Sequence, residues 1–204
     1  MSRRCRASRS YTLPMTERDR APLPDEALPT DGIVRLRRWL ASDAEAVYAA
    51  CQDPVIARFL PIPQPYTRDS ATGFIIGSNA DTDVGPSAHL AIVDAADDRL
   101  LGSISRHGPD GHRAMFGYWL AAAARGHGFA TRALRLIVEW SLATTDVIRL
   151  ELYTDVENDA SGRVAMCAGF EREGVRRAWD LDRAGRPIDS VFYVRVSDRR
   201  RSTP

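Results

Sequence analysis

The chain has 204 residues, 44% hydrophobic and 27% charged, which is enough for one domain with its own core and ordinary for a soluble globular protein. Its 28 basic residues nearly balance 27 acidic ones, leaving a formal net charge of +1, so no overall field selects nucleic acid or an acidic membrane surface. Three cysteines without metal-ligand spacing (Cys5, Cys51, Cys167) argue against a disulfide framework, no apolar run reaches the roughly 18 residues of a membrane span, and the chain suits a reducing, cytoplasmic setting.

Residues 1–14 carry Arg3, Arg4, Arg6 and Arg9 among serines, with no acid. They read as a basic disordered arm or as an extension ahead of a start at Met15; an organelle leader has a similar composition. Residues 16–31 are rich in proline and charge and read as a loose linker. The expected organisation is an extension over residues 1–30, a single domain over 31–198 and a basic tail over 199–204. Residues 33–39 predict a first strand. Ser42 as N-cap with Glu45 as its capping-box partner predicts a helix carrying Ala46, Val47, Ala49, Ala50 and Cys51 on a small apolar face. Asp53-Pro54 opens a second helix through Phe59. Pro61, Pro63 and Pro65 forbid regular structure there, and a helix resumes from Thr67 to about Gly77.

Residues 88–93, 100–107 and 114–120 predict three strands joined by turns at 96–98 and 109–111, an antiparallel meander. Residues 129–143 place apolar side chains at 129, 130, 133, 134, 136, 137, 138 and 140, a wide helical stripe. Arg132, Arg135 and Glu139 mark its wet face, with Arg135 and Glu139 four apart. Residues 148–155 alternate with strand periodicity. A short helix over 160–167 and strands near 170–180 and 188–196 complete the chain. Seven strands and helices on both faces of one mixed sheet make an α+β sandwich.

The run Arg125-Gly126-His127-Gly128-Phe129-Ala130-Thr131 joins the third meander strand to the long helix. Two glycines leave its backbone bare, and the first N–H groups of the helix lack internal partners, so the turn favours an anion such as a pyrophosphate. A dinucleotide fingerprint fails, because Thr131 stands where a third glycine belongs. A triphosphate loop fails as well, because all 28 basic residues are arginine and the chain has no lysine.

Arg125, Gly128 and Ala130 fit the pattern [RQ]-x-x-G-x-[GA], and Gly126 adds a further glycine. Downstream, Asn158, Ser161, Gly169, Phe170, Glu173 and Gly174 fit N-x-x-S…GF-x-x-EG. With Gly117-Tyr118-Trp119-Leu120, these motifs resemble the GNAT superfamily of N-acetyltransferases, in its RimJ/RimL-like branch, over residues 117–174. The resemblance implies a mostly antiparallel sheet of about seven strands. In that fold the strands at 117–120 and 148–155 splay apart and hold the pantetheine arm of acetyl-coenzyme A. It further implies that Trp119, Leu120, Arg125, Gly126, His127, Gly128, Phe129, Ala130, Thr131 and Asn158 bind the coenzyme. Ser161 would also touch it and protonate the departing thiolate, unless it is only a helix cap. No metal is implied.

The base is the open point. Counting ten residues from Phe170 reaches Asp180, the first candidate, although a hairpin-turn aspartate would look the same. His107 is the alternative, with a pKa suited to the task. Many relatives carry a glutamate two residues before the Gly117-Tyr118 pair; here Met115 occupies that place, which favours deprotonation through water. The implied acceptor is a small-molecule amine or a protein N-terminus, bound between residues 59–66 and Trp179-Asp180. The implied enzyme is a monomer or homodimer without nucleic-acid or membrane partners. A catalytically degenerate acyl-coenzyme A sensor of the same fold is the competing reading.

Overall fold

The computed structural model describes residues 28–197. The expected N-terminal arm, the Met15 start and the basic tail lie outside them, save for the end of the linker. Seven strands, β1 (Val34–Arg37), β2 (Ala88–Asp94), β3 (Leu100–Asp110), β4 (Arg113–Leu120), β5 (Arg149–Asp155), β6 (Glu171–Leu181) and β7 (Pro187–Val196), form one sheet in the order β1-β2-β3-β4-β5-β7-β6. Every pair is antiparallel except β4–β5. The helices are α1 (Ala44–Ala50), α2 (Pro54–Phe59), α3 (Arg68–Val84), α4 (Phe129–Thr144) and α5 (Asp159–Cys167).

Strand alternation divides the core in two. Leu90, Ile104 and Tyr118 lie abreast on one face, and Ala91, Ser103 and Trp119 on the other. The first face packs under α4 and α5, where Leu134, Ile137 and Val138 meet Leu90, Ile104, Leu150 and Leu152. The second lies under α1–α3, where Val47, Ile56, Ala71 and Ile75 meet Ala91 and Val93. Among the described residues no helix is long and apolar enough to cross a membrane.

Four local expectations are corrected. Ser42 does not cap α1: a 3-10 turn over Ala41–Asp43 precedes the helix, and the Asp43 carboxylate takes the Leu40 amide at 2.9 Å. Glu45 turns outward to pair with Arg68 at 2.8 Å. α3 runs two turns past Gly77, because its inward positions there are the buried polar residues Ser78 and Thr82. Their spacing from Ala71 and Ile75 is helical, but hydroxyls hide the stripe. Thr82 Oγ1 donates to the Ser78 carbonyl at 2.8 Å and accepts from the His89 amide at 2.9 Å, so burial leaves it bonded. The second meander turn falls at Gly111-His112, where Asp110 pairs with Arg113. Finally, Arg135 and Glu139 do not pair with each other: Glu139 meets Arg195 at 2.7 Å, and Arg135 donates to the Cys167 carbonyl.

The β4–β5 pairing positions the site. It holds only for Arg113↔Arg149, Ala114↔Leu150 and Met115↔Glu151. Beyond Met115, β4 stays with β3 while β5 stays with β7. A wedge therefore opens between residues 116–120 and 152–155, the splay that the resemblance implied.

Candidate active site

At the open end of the wedge, β4 leads through a 3-10 turn (Ala122–Ala124) into the glycine turn. Gly126 has φ 81° and Gly128 has φ 77°, left-handed values that favour glycine. A Cβ on either would meet nothing within 4 Å, so the bare backbone faces open space. Gly128 is the N-cap of α4 and has no side chain to cap with, so the helix presents its first amides outward. His127 stacks on Phe129, their ring centroids 5.5 Å apart, beside those amides. Ala130 turns its methyl into the core, and Thr131 sits in the first turn of α4.

Arg125 is engaged within the fold. Its guanidinium lies 2.5 Å from Asp53 Oδ2 and donates to the Leu120 carbonyl at 3.1 and 3.3 Å. The other carboxylate oxygen of Asp53 accepts from the Val55 amide at 2.8 Å, capping α2 as the sequence implied. One arginine thus joins the end of β4, the glycine turn and α2. Trp119, next to Leu120, stacks on Trp39 across the second core, centroids 6.5 Å apart.

Across the wedge, Asn158 caps α5: its Oδ1 accepts the Ser161 amide at 3.2 Å. Ser161 is therefore not the cap, which frees its hydroxyl for another role. That hydroxyl lies 2.9 Å from the Tyr118 phenol, which also donates to the Ser161 carbonyl at 3.0 Å. These contacts tie β4 to α5 over the gap. Burial, partly offset by the Ser161 hydrogen bond, pushes the Tyr118 phenol up to about 12, so it stays protonated at neutral pH. A Cβ on Gly162 would run into the Tyr193 phenol oxygen, so glycine admits Tyr193 against the same turn of helix. Sequence reasoning missed Tyr118. The signal was available, since Tyr118 shares strand parity with the core residue Phe116, where a phenol oxygen needs a partner.

The second face carries the segments expected to meet an acceptor. Arg183, at the β6–β7 turn, donates to the carbonyls of Ala57 at 2.7 Å and of Leu60 and Ile62 at 3.0 Å. Arg58 pairs with Glu157, beside Asn158. Residues 57–62 are thus held against the last hairpin, through Arg183 rather than through Trp179-Asp180. Tyr66 is core rather than pocket, at 7% exposure, while Trp179 is 45% exposed and packs edge-on to Tyr153 and Phe192. Asp180 lies within β6, opposite Ile188, exposed, and its carboxylate accepts the Leu181 amide at 3.1 Å. The hairpin-turn aspartate is Asp182, which accepts the amides of Ala184 and Arg186 at 2.8 and 2.9 Å.

His107 stands one strand from the wedge. It is the cross-strand partner of Met115, and its Nε2 lies 3.1 Å from the Ser105 hydroxyl. The His89 ring meets it edge-on, centroids 4.9 Å apart, and Asp81 lies 3.8 Å from His89. Burial pulls both imidazoles below the ordinary histidine value, and Asp81 opposes the shift.

Known proteins resemble this chain in sequence and in fold. The family profile described as "Acetyltransferase (GNAT) domain" matches residues 34–171. The chain is 25% identical over 174 residues to the uncharacterized N-acetyltransferase YoaA of Bacillus subtilis, covering 84% of this chain and 97% of YoaA. A solved structure of RimL, the ribosomal L7/L12 α-N-protein acetyltransferase, in complex with coenzyme A superposes with a TM-score of 0.72 at 21% identity, over 83% of this chain and 97% of RimL. The microcin C7 self-immunity acetyltransferase MccE, solved with acetyl-coenzyme A and AMP, gives 0.70 at 22% identity, over 82% and 93%.

Proposed function

We infer, from the premise that this chain belongs to the acetyltransferase (GNAT) domain family and is an acyltransferase, that it moves an acetyl group from acetyl-coenzyme A to a primary amine. The amine attacks directly, within a ternary complex. The observation that carries this reading is the wedge itself. It opens beside an uncapped glycine turn at one end and is bridged by Tyr118 and Ser161 across its mouth.

The amides of residues 126–131 hold the pyrophosphate at the positive end of α4. Arg125 adds its charge, shared with Asp53. Trp119, Leu120 and Asn158 line the pantetheine arm. Amides of β4 on the side that has lost its β5 partner receive the oxyanion of the tetrahedral intermediate. Ser161 protonates the departing thiolate, and the Tyr118 phenol orients that hydroxyl and restores its proton. An alkyl amine has a pKa near 10.4 and an α-amine near 8, so the bound ammonium must first lose a proton. Asp180, exposed at the same end of the sheet, supplies negative charge to draw that cation in. The acceptor is a small-molecule amine or a protein N-terminus.

Isothermal titration of acetyl-coenzyme A against the wild type and an Asn158→Ala, Gly128→Glu double variant tests the reading. Saturable binding that the variant loses is expected, followed by free-thiol release on a panel of amines. No binding by the wild type would overturn it. Binding without thiol release on any amine would leave the acyl-coenzyme A sensor in its place.

A further inference from the structure

We propose that Ser105 and His107 form the path by which the acceptor amine loses its proton. This rests on the acetyl-transfer reading above. Ser105 pairs with Gly117, the second β4 residue beyond the last β4–β5 pair, and its Oγ reaches the Gly117 carbonyl at 3.3 Å. A Cβ at 117 would lie 3.3 Å from that oxygen; glycine leaves the hydroxyl uncovered beside the parting strands. The same Oγ is 3.1 Å from His107 Nε2. His107 is exposed at its outer side, so the pair connects the floor of the wedge with solvent.

The second face at this point contains Met115, Gly117, Ser105, His107 and His89. Met115 cannot accept a proton, and the group beside it across the β3–β4 ladder that can is His107. The titratable groups packed on His107 are His89 from β2 and, behind it, Asp81 from α3. Burial, opposed by Asp81, holds the His107 imidazole below its ordinary value, which keeps it available as an acceptor at neutral pH. In the tautomer with its proton on Nδ1, Nε2 accepts from Ser105.

The step balances. The bound ammonium gives a proton to Ser105 Oγ as the serine proton passes to His107 Nε2, and His107 releases one to water from Nδ1. The freed lone pair attacks the thioester carbon, forming C–N. Collapse of the adduct breaks C–S: the adduct nitrogen sheds its second proton along the same Ser105–His107 path to water while one N–H stays on the amide, and Ser161 protonates the sulfur and recovers its proton from water through Tyr118. Ser105 touches the substrate; His107 acts through it.

The test uses the full chain, with free-thiol release from acetyl-coenzyme A measured between pH 5.5 and 9 on an alanine-led peptide, a serine-led peptide and spermidine. His107→Gln and Ser105→Ala are each expected to lose on the order of 10²-fold in kcat/KM at neutral pH and to lose the acid limb of the profile, with acetyl-coenzyme A binding unchanged. Ser105→Thr, which keeps a hydroxyl, should restore both. A His107→Gln enzyme with a wild-type profile, or an Asp180→Asn enzyme that loses the acid limb, would overturn the relay while leaving the acetyltransferase reading intact. A wild type that fails to bind acetyl-coenzyme A sinks the acetyltransferase reading and the relay with it. A separate NMR titration of the wild type with acetyl-coenzyme A needs no acceptor. His107 protonated at pH 7 overturns the relay.

Discussion

Replacing Gly128 separates the stability of the glycine turn from its ligand. With φ 77° and ψ 4°, an alanine there is strained by about 1–2 kcal/mol, although its Cβ would touch nothing within 4 Å. For a domain of this size that lowers the melting temperature by about 2–4 °C per kcal/mol. Asparagine tolerates the left-handed region, so Gly128→Asn should melt close to wild type. Both side chains, however, would occupy the open space beside the N-terminus of α4. If the pyrophosphate sits there, each displaces one charge-assisted hydrogen bond or more, about 1.5–3 kcal/mol, or on the order of 10- to 100-fold in Kd. Calorimetric titration with coenzyme A, beside thermal melts, reads the two effects apart. A Gly128→Asn protein that is stable and binds coenzyme A as the wild type does would refute the placement of the phosphates.

Tyr118→Phe should lower kcat about 10- to 100-fold with little change in KM for acetyl-coenzyme A, since it removes the partner of the Ser161 hydroxyl and no part of the glycine turn; steady-state thiol release decides, and an unchanged kcat removes Tyr118 from the reaction. Asp53→Asn keeps a capping oxygen for Val55 while releasing Arg125, so coenzyme A should bind tighter, by up to about 5-fold for a partly exposed pair; weaker binding on titration would mean that the pair shapes the turn instead. Burial depresses the folded pKa of His89 and His107, so the unfolded chain binds more protons than the native one as pH falls below about 6.5; stability present above that value should decline through the acid range, and a His89→Gln, His107→Gln double variant should flatten the decline in urea melts at pH 7 and 5.

Most of the frame was legible because its signals are local. Strand alternation and the stripe of residues 129–143 identified all seven strands and α4, to within a residue or two except that β3 runs three residues further, to Asp110, and Asp53-Pro54 marked the start of α2. What escaped was tertiary. The end of α3 packs through Ser78 and Thr82, which a hydrophobic period cannot register. Ser42 lost its capping role because Asp43 takes the Leu40 amide and is itself gripped by Arg37, at 2.7 Å, from β1. Within the site, the glycine turn was readable as a continuous motif. The Tyr118–Ser161 contact spans 43 residues and the Arg183 contacts more than 120, and no spacing rule reaches across such distances.

Arg183 grips residues 57–62 by their carbonyl oxygens alone. Such a clasp is indifferent to which side chains that segment bears. If residues 57–62 rim the acceptor site, as proposed, that rim can therefore change its amino acids, and with them its chemical preference, while Arg183 still holds it to the hairpin. The glycine turn has less freedom, because the left-handed φ at Gly126 and Gly128 suits glycine and few other residues. On the acetyl-transfer reading proposed above, a constrained donor end is thus coupled to an acceptor end whose lettering is free to drift, a division under which new substrates can be sampled without rebuilding the catalyst.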